Sequence, residues 1–309
     1  MKVLKPILSG SLLVLTLTFC SQVSAQTTTV VNDSWADGDR AITGSSGTDV
    51  EAGFFASTNS NGIEDSVGSL GMVSGPSGRG IHAPFASQTL ANIGDQLIFT
   101  YVFDTPATIE AGGENSSFRI GLFDTNGADY GLDITSSTDA IHENLTGIMM
   151  DHDVNTSGGT ADLNIRQRNT AGTRDRLLST TSQYTDLSGS GPDGEYEFQV
   201  SSTYNGSITI ERIDATDFMI TGTIAGPGGT AGGTSYSTTY TPETFNLNLL
   251  AFHANSDNFG SSNTPDEADN GLDFSNITVQ FVTTAIPEPS SAAILLSGLF
   301  SLGFVRRRK

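Results

Sequence analysis

The stretch from Ser202 to Arg212, STYNGSITIER, shows the fold in miniature. On both sides of Asn205–Gly206, polar residues alternate with β-branched and aromatic ones, the two-residue period of a strand with one buried face. An Asn-Gly pair between such runs is the signature of a type I′ turn, because both central positions need φ > 0. The spacing therefore predicts a hairpin turning at Asn205–Gly206, and with it an antiparallel sheet. The same signals recur outward in both directions. Residues 96–103 (QLIFTYVF), 118–123 (FRIGLF), 146–150 (TGIMM), 162–166 (DLNIR), 195–200 (EYEFQV), 245–252 (FNLNLLAF) and 277–282 (ITVQFV) are short and rich in β-branched and aromatic residues. Clusters of Gly, Asn, Asp and Ser bound them. No stretch between residues 26 and 286 sustains a 3.6-residue apolar period. About eleven to thirteen strands at this spacing predict an all-β antiparallel sandwich or barrel, a class that reaches ~200–250 residues as one domain. The glycine-rich AGPGGTAGGT (225–234) reads as a long loop, since too few residues follow it to build a second core.

Charge is placed unevenly along the 309 residues. Lys2 and Lys5 open the chain and Arg306, Arg307, Arg308 and Lys309 close it. Between residues 26 and 286 only eight basic residues remain, all arginine, against 33 acids, a balance of −25. A surface this acidic repels phosphate backbones, so nucleic-acid binding is excluded. The single cysteine, Cys20, leaves the body without disulfides or thiolate chemistry.

The N-terminal residues read as an export signal. Lys2 and Lys5 precede an apolar run, Ile7 to Phe19, and Val23-Ser24-Ala25 ends in the small residues that signal peptidase accepts. Cleavage after Ala25 would start the mature chain at Gln26. The rival reading, a lipoprotein anchored through Cys20, is opposed by the bulk of Phe19. At the other end, Pro287-Glu288-Pro289 holds the chain extended. An apolar run from Ser290 to Val305 follows, about 24 Å long as a helix and short of a ~30 Å hydrocarbon core. The basic cluster after it should stay cytoplasmic.

These three parts, in this order, resemble the PEP-CTERM sorting signal of exopolysaccharide-producing Gram-negative bacteria. The resemblance covers Pro287 to Lys309 and rests on Pro287, Glu288, Pro289 and the arginines Arg306, Arg307 and Arg308. It implies an exported chain held transiently in the inner membrane by its C-terminal transmembrane helix. Processing by an exosortase would then deliver it to the cell surface or extracellular matrix. The organisation expected is a signal peptide over 1–25, a β-sandwich domain over 26–286 and a sorting signal over 287–309.

The body carries a second resemblance. NDSWADGDR (32–40), FRIGLFD (118–124) and NGLDFSNITVQF (270–281) look like segments of concanavalin A-like, laminin-G-like jelly rolls. That superfamily pairs its first and last strands in one sheet, and the same pairing is implied here.

Recognisable catalytic spacing is missing. Jelly-roll glycosidases of the laminarinase type carry E-x-D-x-x-E or E-x-D-x-E on one strand, and neither occurs. Glu195 and Glu197 share one face of a strand pattern, which a solvated face explains equally well. There is no G-x-S-x-G elbow, and residues 6–308 contain no lysine for a P-loop. His82, His142, His152 and His253 show no zinc spacing, although Asp151-His152-Asp153 is a candidate ligand cluster or a loop after the strand 146–150.

Calcium suits the acidic loops better, since it takes hard oxygens that Asp/Asn-rich turns supply. The candidates are Asp124, Asn126 and Asp129 in DTNGAD and Asp266, Asp269 and Asp273 in PDEADNGLD, with turn formation as the competing reading. Trp35 belongs in the core or at an edge, whereas Tyr130, Tyr184, Tyr204 and Tyr236 are candidates to face solvent as a sugar platform. Three functions compete: a non-catalytic, lectin-like module for exopolysaccharide, a purely structural and glycosylated matrix or coat protein, and a glycan-active enzyme. Signal peptidase and exosortase are the partners expected during export.

Overall fold

The period-two pattern dictates the architecture. Residues Gln96–Asp104 alternate without fault between half-buried and buried positions, and Thr203–Arg212 and Phe218–Ala225 do nearly the same. The computed structural model describes residues 25–41, 50, 52–57, 62–73, 78–109, 118–152, 163–187, 198–227, 234–244, 246–255, 259 and 271–284. Residues 1–24 of the expected signal peptide and the whole expected sorting signal, with Pro287, Glu288, Pro289 and Arg306 to Arg308, lie outside the described residues.

Fifteen strands occur among the described residues: β1 (Gln26–Asp33), β2 (Phe55–Ala56), β3 (Ile63–Ser66), β4 (Ser69–Met72), β5 (Arg79–Thr89), β6 (Gln96–Asp104), β7 (Phe118–Asp124), β8 (Thr146–His152), β9 (Leu163–Arg168), β10 (Tyr184–Asp186), β11 (Thr203–Arg212), β12 (Phe218–Ala225), β13 (Thr234–Tyr240), β14 (Asn246–Ala254) and β15 (Leu272–Thr283). They form two antiparallel sheets. The eight-stranded sheet runs β13-β12-β11-β6-β15-β4-β3, with β1 also on β15, and the seven-stranded sheet runs β10-β9-β8-β7-β14-β5-β2. β15 pairs with β6 along one side. On its other side it pairs with β4 at Leu272–Phe274 and with β1 at Ile277–Thr283, so first and last strands do pair in one sheet. The glycine-rich stretch 225–234 joins β12 to β13, which are paired neighbours.

The inner faces meet in one apolar core. On β6, Phe99 stacks on Tyr101 (centroids 5.2 Å apart) and Tyr101 on Phe103 (6.1 Å). This ladder meets Phe252 of β14 and Phe118 of β7 from the opposite sheet. Trp35 is fully buried against Phe54, as its place in the sequence suggests.

The predicted hairpin is not there. Asn205 and Gly206 lie inside β11, opposite Ala225 and Ile224 on one side and Val102 and Tyr101 on the other. The chain turns instead at residues 213–217, where the Asp214 carboxylate accepts from the backbone N–H of Thr216 and Asp217. Glycine is required at 206 because the Tyr101 ring lies across it: a Cβ there would sit 2.0 Å from Cζ. The φ > 0 pair belongs to Asn126–Gly127 (49° and 87°), closed by the Ala128 N–H to the Thr125 carbonyl. Of the expected strand 195–200, Phe198–Val200 is not a strand, and residues 195–197, with Glu195 and Glu197, lie outside the described residues.

Replacing Gly206 by alanine is expected to cost about 1–3 kcal/mol by overpacking against Tyr101. In a Tyr101→Leu background the penalty should shrink, read as a coupling energy from urea denaturation midpoints. Equal penalties in both backgrounds would refute the contact as its cause.

Candidate functional site

On the seven-stranded sheet, the residues facing away from the core are largely polar at one end. Strand alternation turns Arg119 (β7), Asp151 (β8), Asn164 (β9) and His253 (β14) outward, while their neighbours Ile120, Met150, Ile165 and Phe252 join the core. The register then aligns them. His253 lies opposite both Gly80 and Arg119, Arg119 opposite Asp151, and Asp151 opposite Asn164, a straight row across five strands.

Charge pairing extends the row toward water. The Arg119 Nε donates to Asp151 Oδ1 at 3.1 Å, and its Nη1 donates to the Leu178 carbonyl at 2.8 Å. Arg166, two residues along β9 from Asn164, donates from Nε to the other Asp151 oxygen. Its Nη1 reaches Asp186 at 2.6 Å. Side-chain exposure rises along this chain from 1 % at Asp151 to 17 % at Arg166 and 61 % at Asp186. Burial pushes the Arg119 pKa down, and Asp151 opposes that shift.

His253 is the unusual member. It is 1 % exposed, and neither ring nitrogen has a hydrogen-bond partner. Burial and then Arg119 hold its pKa well below the ordinary value, so the ring is neutral. The imidazole occupies space left by two glycines: a Cβ at Gly78 would lie 3.1 Å from Cε1, and one at Gly80 3.3 Å from Cδ2. An unsatisfied buried polar atom costs about 1–3 kcal/mol, so the ring carries a free donor and a free acceptor that a polar group would satisfy.

A layer of loops covers the rest of this face. Phe123, Tyr130, Met149, Leu177, Tyr184 and Leu249 form a second, smaller core beneath it. Arg168 ties the layer down by donating to the carbonyls of His142, Arg174, Arg176 and Leu177 and to the Tyr184 hydroxyl. The Tyr130 hydroxyl lies 2.9 Å from His142 Nδ1.

Several expected sites change meaning. Tyr130, Tyr184 and Tyr204 are buried, and Tyr236 packs half-buried against the main core, so they do not form the proposed platform. Asp151-His152 is not a ligand cluster. Both residues continue β8 and point to opposite faces, Asp151 to the arginines and His152 into the core, stacked on Phe118; Asp153 lies outside the described residues. Asp124 accepts from the Asn126 N–H and the Thr244 hydroxyl, Asn126 donates to the Asn144 carbonyl, and Asp129 caps Gly131. Each of these three calcium candidates thus holds a turn or a strand end. Asp273 sits on β15 opposite Asp104, and its carboxyl is pushed up first by desolvation and then by that neighbour. Asp266 and Asp269 lie outside the described residues. Among the described residues no group of three or more His, Cys, Asp or Glu side chains is placed to hold a metal ion. Arg119, Arg166 and His253 were missed as site residues. Their signal was an arginine at alternate positions of strand patterns in a body with only eight cations.

No protein-family model matches the chain, and no curated protein matches it. Among solved structures it is similar to lectin-like β-sandwiches. The lectin I of Ulex europaeus in complex with the methyl glycoside of α-L-fucose shares 10 % identity at a TM-score of 0.44, over 83 % of this chain and 98 % of that one. The Emp46p carbohydrate recognition domain in its metal-free form shares 9 % at 0.41, over 73 % and 86 %. The alginate lyase Aly36B shares 11 % at 0.37, over 85 % and 98 %.

Two predictions follow from the buried charges and rings. Asp151→Asn leaves Arg119 without its counter-ion and is expected to cost about 3–5 kcal/mol, whereas Asp186→Asn, at the exposed end, should cost less than about 1 kcal/mol. Similar shifts of the two urea midpoints would contradict the assigned burial. The histidines set the acid limit. Burial lowers His82 and His142 to about 4 and His152 to about 3, while the unfolded chain titrates near 6.5. The unfolded state therefore binds more protons below that value. Stability is full above about pH 6.5 and should fall toward pH 4 by about 1.4 kcal/mol per pH unit for each such ring. A urea midpoint unchanged between pH 7 and pH 5 would refute this.

Proposed function

We propose that this chain is an exported, non-catalytic carbohydrate-binding protein, carried to the cell surface by a PEP-CTERM sorting signal and associated there with exopolysaccharide. The observation that supports binding is the row His253–Arg119–Asp151–Asn164 with its Arg166–Asp186 extension. Its buried members, Arg119 and Asp151, fix the Arg166 guanidinium and the Asp186 carboxylate at the exposed end, a donor and an acceptor held on strands rather than loops. Sugar hydroxyls both donate and accept, and a locked mixture of these groups suits them. The row is electrically balanced, with two arginines against two aspartates, so it attracts neither anions nor cations over distance. The exposed end at Arg166 and Asp186 is where the ligand makes first contact. Export and sorting rest on the terminal segments of the sequence.

One observation favours a second reading, a glycan-active enzyme. Asp104 and Asp273 face each other across β6 and β15 on the outer face of the eight-stranded sheet, and the Asp273 carboxyl is held above its usual range. The Thr203 hydroxyl donates to Asp104.

One experiment addresses both readings. Immobilised full-length protein is offered a panel of neutral and uronate polysaccharides with calcium or with EDTA, and the supernatants are assayed for reducing ends. Saturable retention that falls at least tenfold in Arg166→Ala is expected. No retention on any polysaccharide would sink the binding reading. Reducing ends that appear with the wild type and vanish in Asp273→Asn would replace it by the enzymatic one.

A further inference from the structure

The outer face of the eight-stranded sheet carries a pattern that the site above does not use. One row crosses six strands in register: Asn32, Thr278, Thr100, Ser207, Thr223 and Ser235 lie opposite one another in turn. The adjacent row, two residues along each strand and three along β1 across its bulge, is Thr29, Gln280, Ile98, Thr209, Thr221 and Ser237. Hydroxyls or amides fill every position but Ile98, and none is charged. The body bears 33 acids, yet they stay at the margins of this field: Glu211 lies one row beyond at one end, and Asp104 and Asp273 lie past the other.

Sheet geometry turns composition into a lattice. Neighbouring strands are about 4.8 Å apart and alternate residues along a strand about 6.7 Å apart, so the hydroxyls repeat in two directions. They are also oriented by one another. Ser207 and Thr223 bond at 2.6 Å, Thr221 and Ser237 at 2.8 Å, and the Thr278 hydroxyl donates to Asn32 Oδ1 at 3.2 Å. Each hydroxyl pair uses one donor and one lone pair internally, which leaves one donor and three acceptor positions facing outward. The threonines are stiff at χ1 and the central positions are half-buried, so little rotamer freedom remains to be lost when a ligand arrives.

We propose that this field is a second binding face, and that its occupant is an uncharged, extended polysaccharide lying across the rows. The chemistry selects it on three counts. A face without cations on a body of −25 disfavours anionic polymers and, by the same repulsion, a second copy of the chain. Within the two rows Ile98 is the single apolar side chain, and Val102, Met219 and Val282 in the rows beside them are separated by polar groups, which disfavours an apolar partner. A repeating array of paired donors and acceptors matches a polymer whose own hydroxyls repeat. The face is distinct from the row at Arg119, so the two surfaces are separately testable.

The test uses the full-length protein in affinity electrophoresis through gels holding either a neutral galactomannan or alginate. Thr209→Val, Thr221→Val and Thr223→Val together remove three hydroxyls while keeping β-branched shape. The triple variant is expected to bind galactomannan at least tenfold more weakly with an unchanged urea midpoint. Should it fold poorly, Ser207→Ala with Ser237→Ala gives the same readout at two other lattice points. Unchanged galactomannan retention in a folded variant would overturn the proposal, as would tighter retention of alginate than galactomannan by the wild type. A wild-type dimer by light scattering that the valine variant dissociates would also overturn it, because the face would then pair copies. If galactomannan is not retained while alginate is, and Arg166→Ala abolishes the latter, this inference fails while the carbohydrate-binding reading survives.

Discussion

The aromatic ladder Phe99–Tyr101–Phe103 on β6 is the constraint on which the rest depends. It stands at the middle of the eight-stranded sheet, between β11 and β15, and meets Phe118 and Phe252 of the opposite sheet. Stacked sheets sit about 10 Å apart, so three rings in a line occupy most of the gap along β6. Their bulk must be matched by absence elsewhere. Gly206 yields to the Tyr101 ring, and Gly226 yields to Tyr204, which itself stacks on Phe103. Once the inner face of β6 is fixed by these contacts, alternation fixes which residues of β11, β12 and β15 face water. A one-residue slip of any of them would carry its hydroxyls into the core and its isoleucines out.

The two outer faces solve different problems with that same alternation. On the seven-stranded sheet the outward side chains are large and charged or aromatic, and loops come down to cover them. The cover is possible because Arg168 satisfies four carbonyls and a hydroxyl in the loop layer, groups that burial would otherwise leave unpaired. The eight-stranded sheet keeps small hydroxyls outward and pairs them laterally. The chain thus uses its scarce cations as interior ties and leaves its surplus acids at the surface, where solvation is cheapest.

The sandwich was legible because seven of its strands announce themselves by period and residue type, and the terminal strands pair as the jelly-roll resemblance implies. The errors have physical causes. Asn205–Gly206 resembles a turn because glycine answers two different demands, positive φ and close approach of a ring, and local sequence does not separate them. Asn126–Gly127 meets the first demand, inside a segment whose acids invite a calcium reading. Asp151 and His152 were placed beyond a strand because charged residues usually end one, whereas here Arg119 and Arg166 from neighbouring strands neutralise Asp151 in place. The row at Arg119 was out of reach, since it is assembled by the register of β7, β8 and β9 and joined to β14 and β5 from distant parts of the chain.

His253 is the position where structural and functional demands separate. A neutral ring with both nitrogens unpartnered weakens the fold. Arg119 adds to the conflict, because its charge opposes protonation of the ring and keeps it neutral. Ion pairing therefore gives no reason for an imidazole here. What remains is the ring's ability to donate from one nitrogen and accept at the other, at a fixed point on a rigid strand.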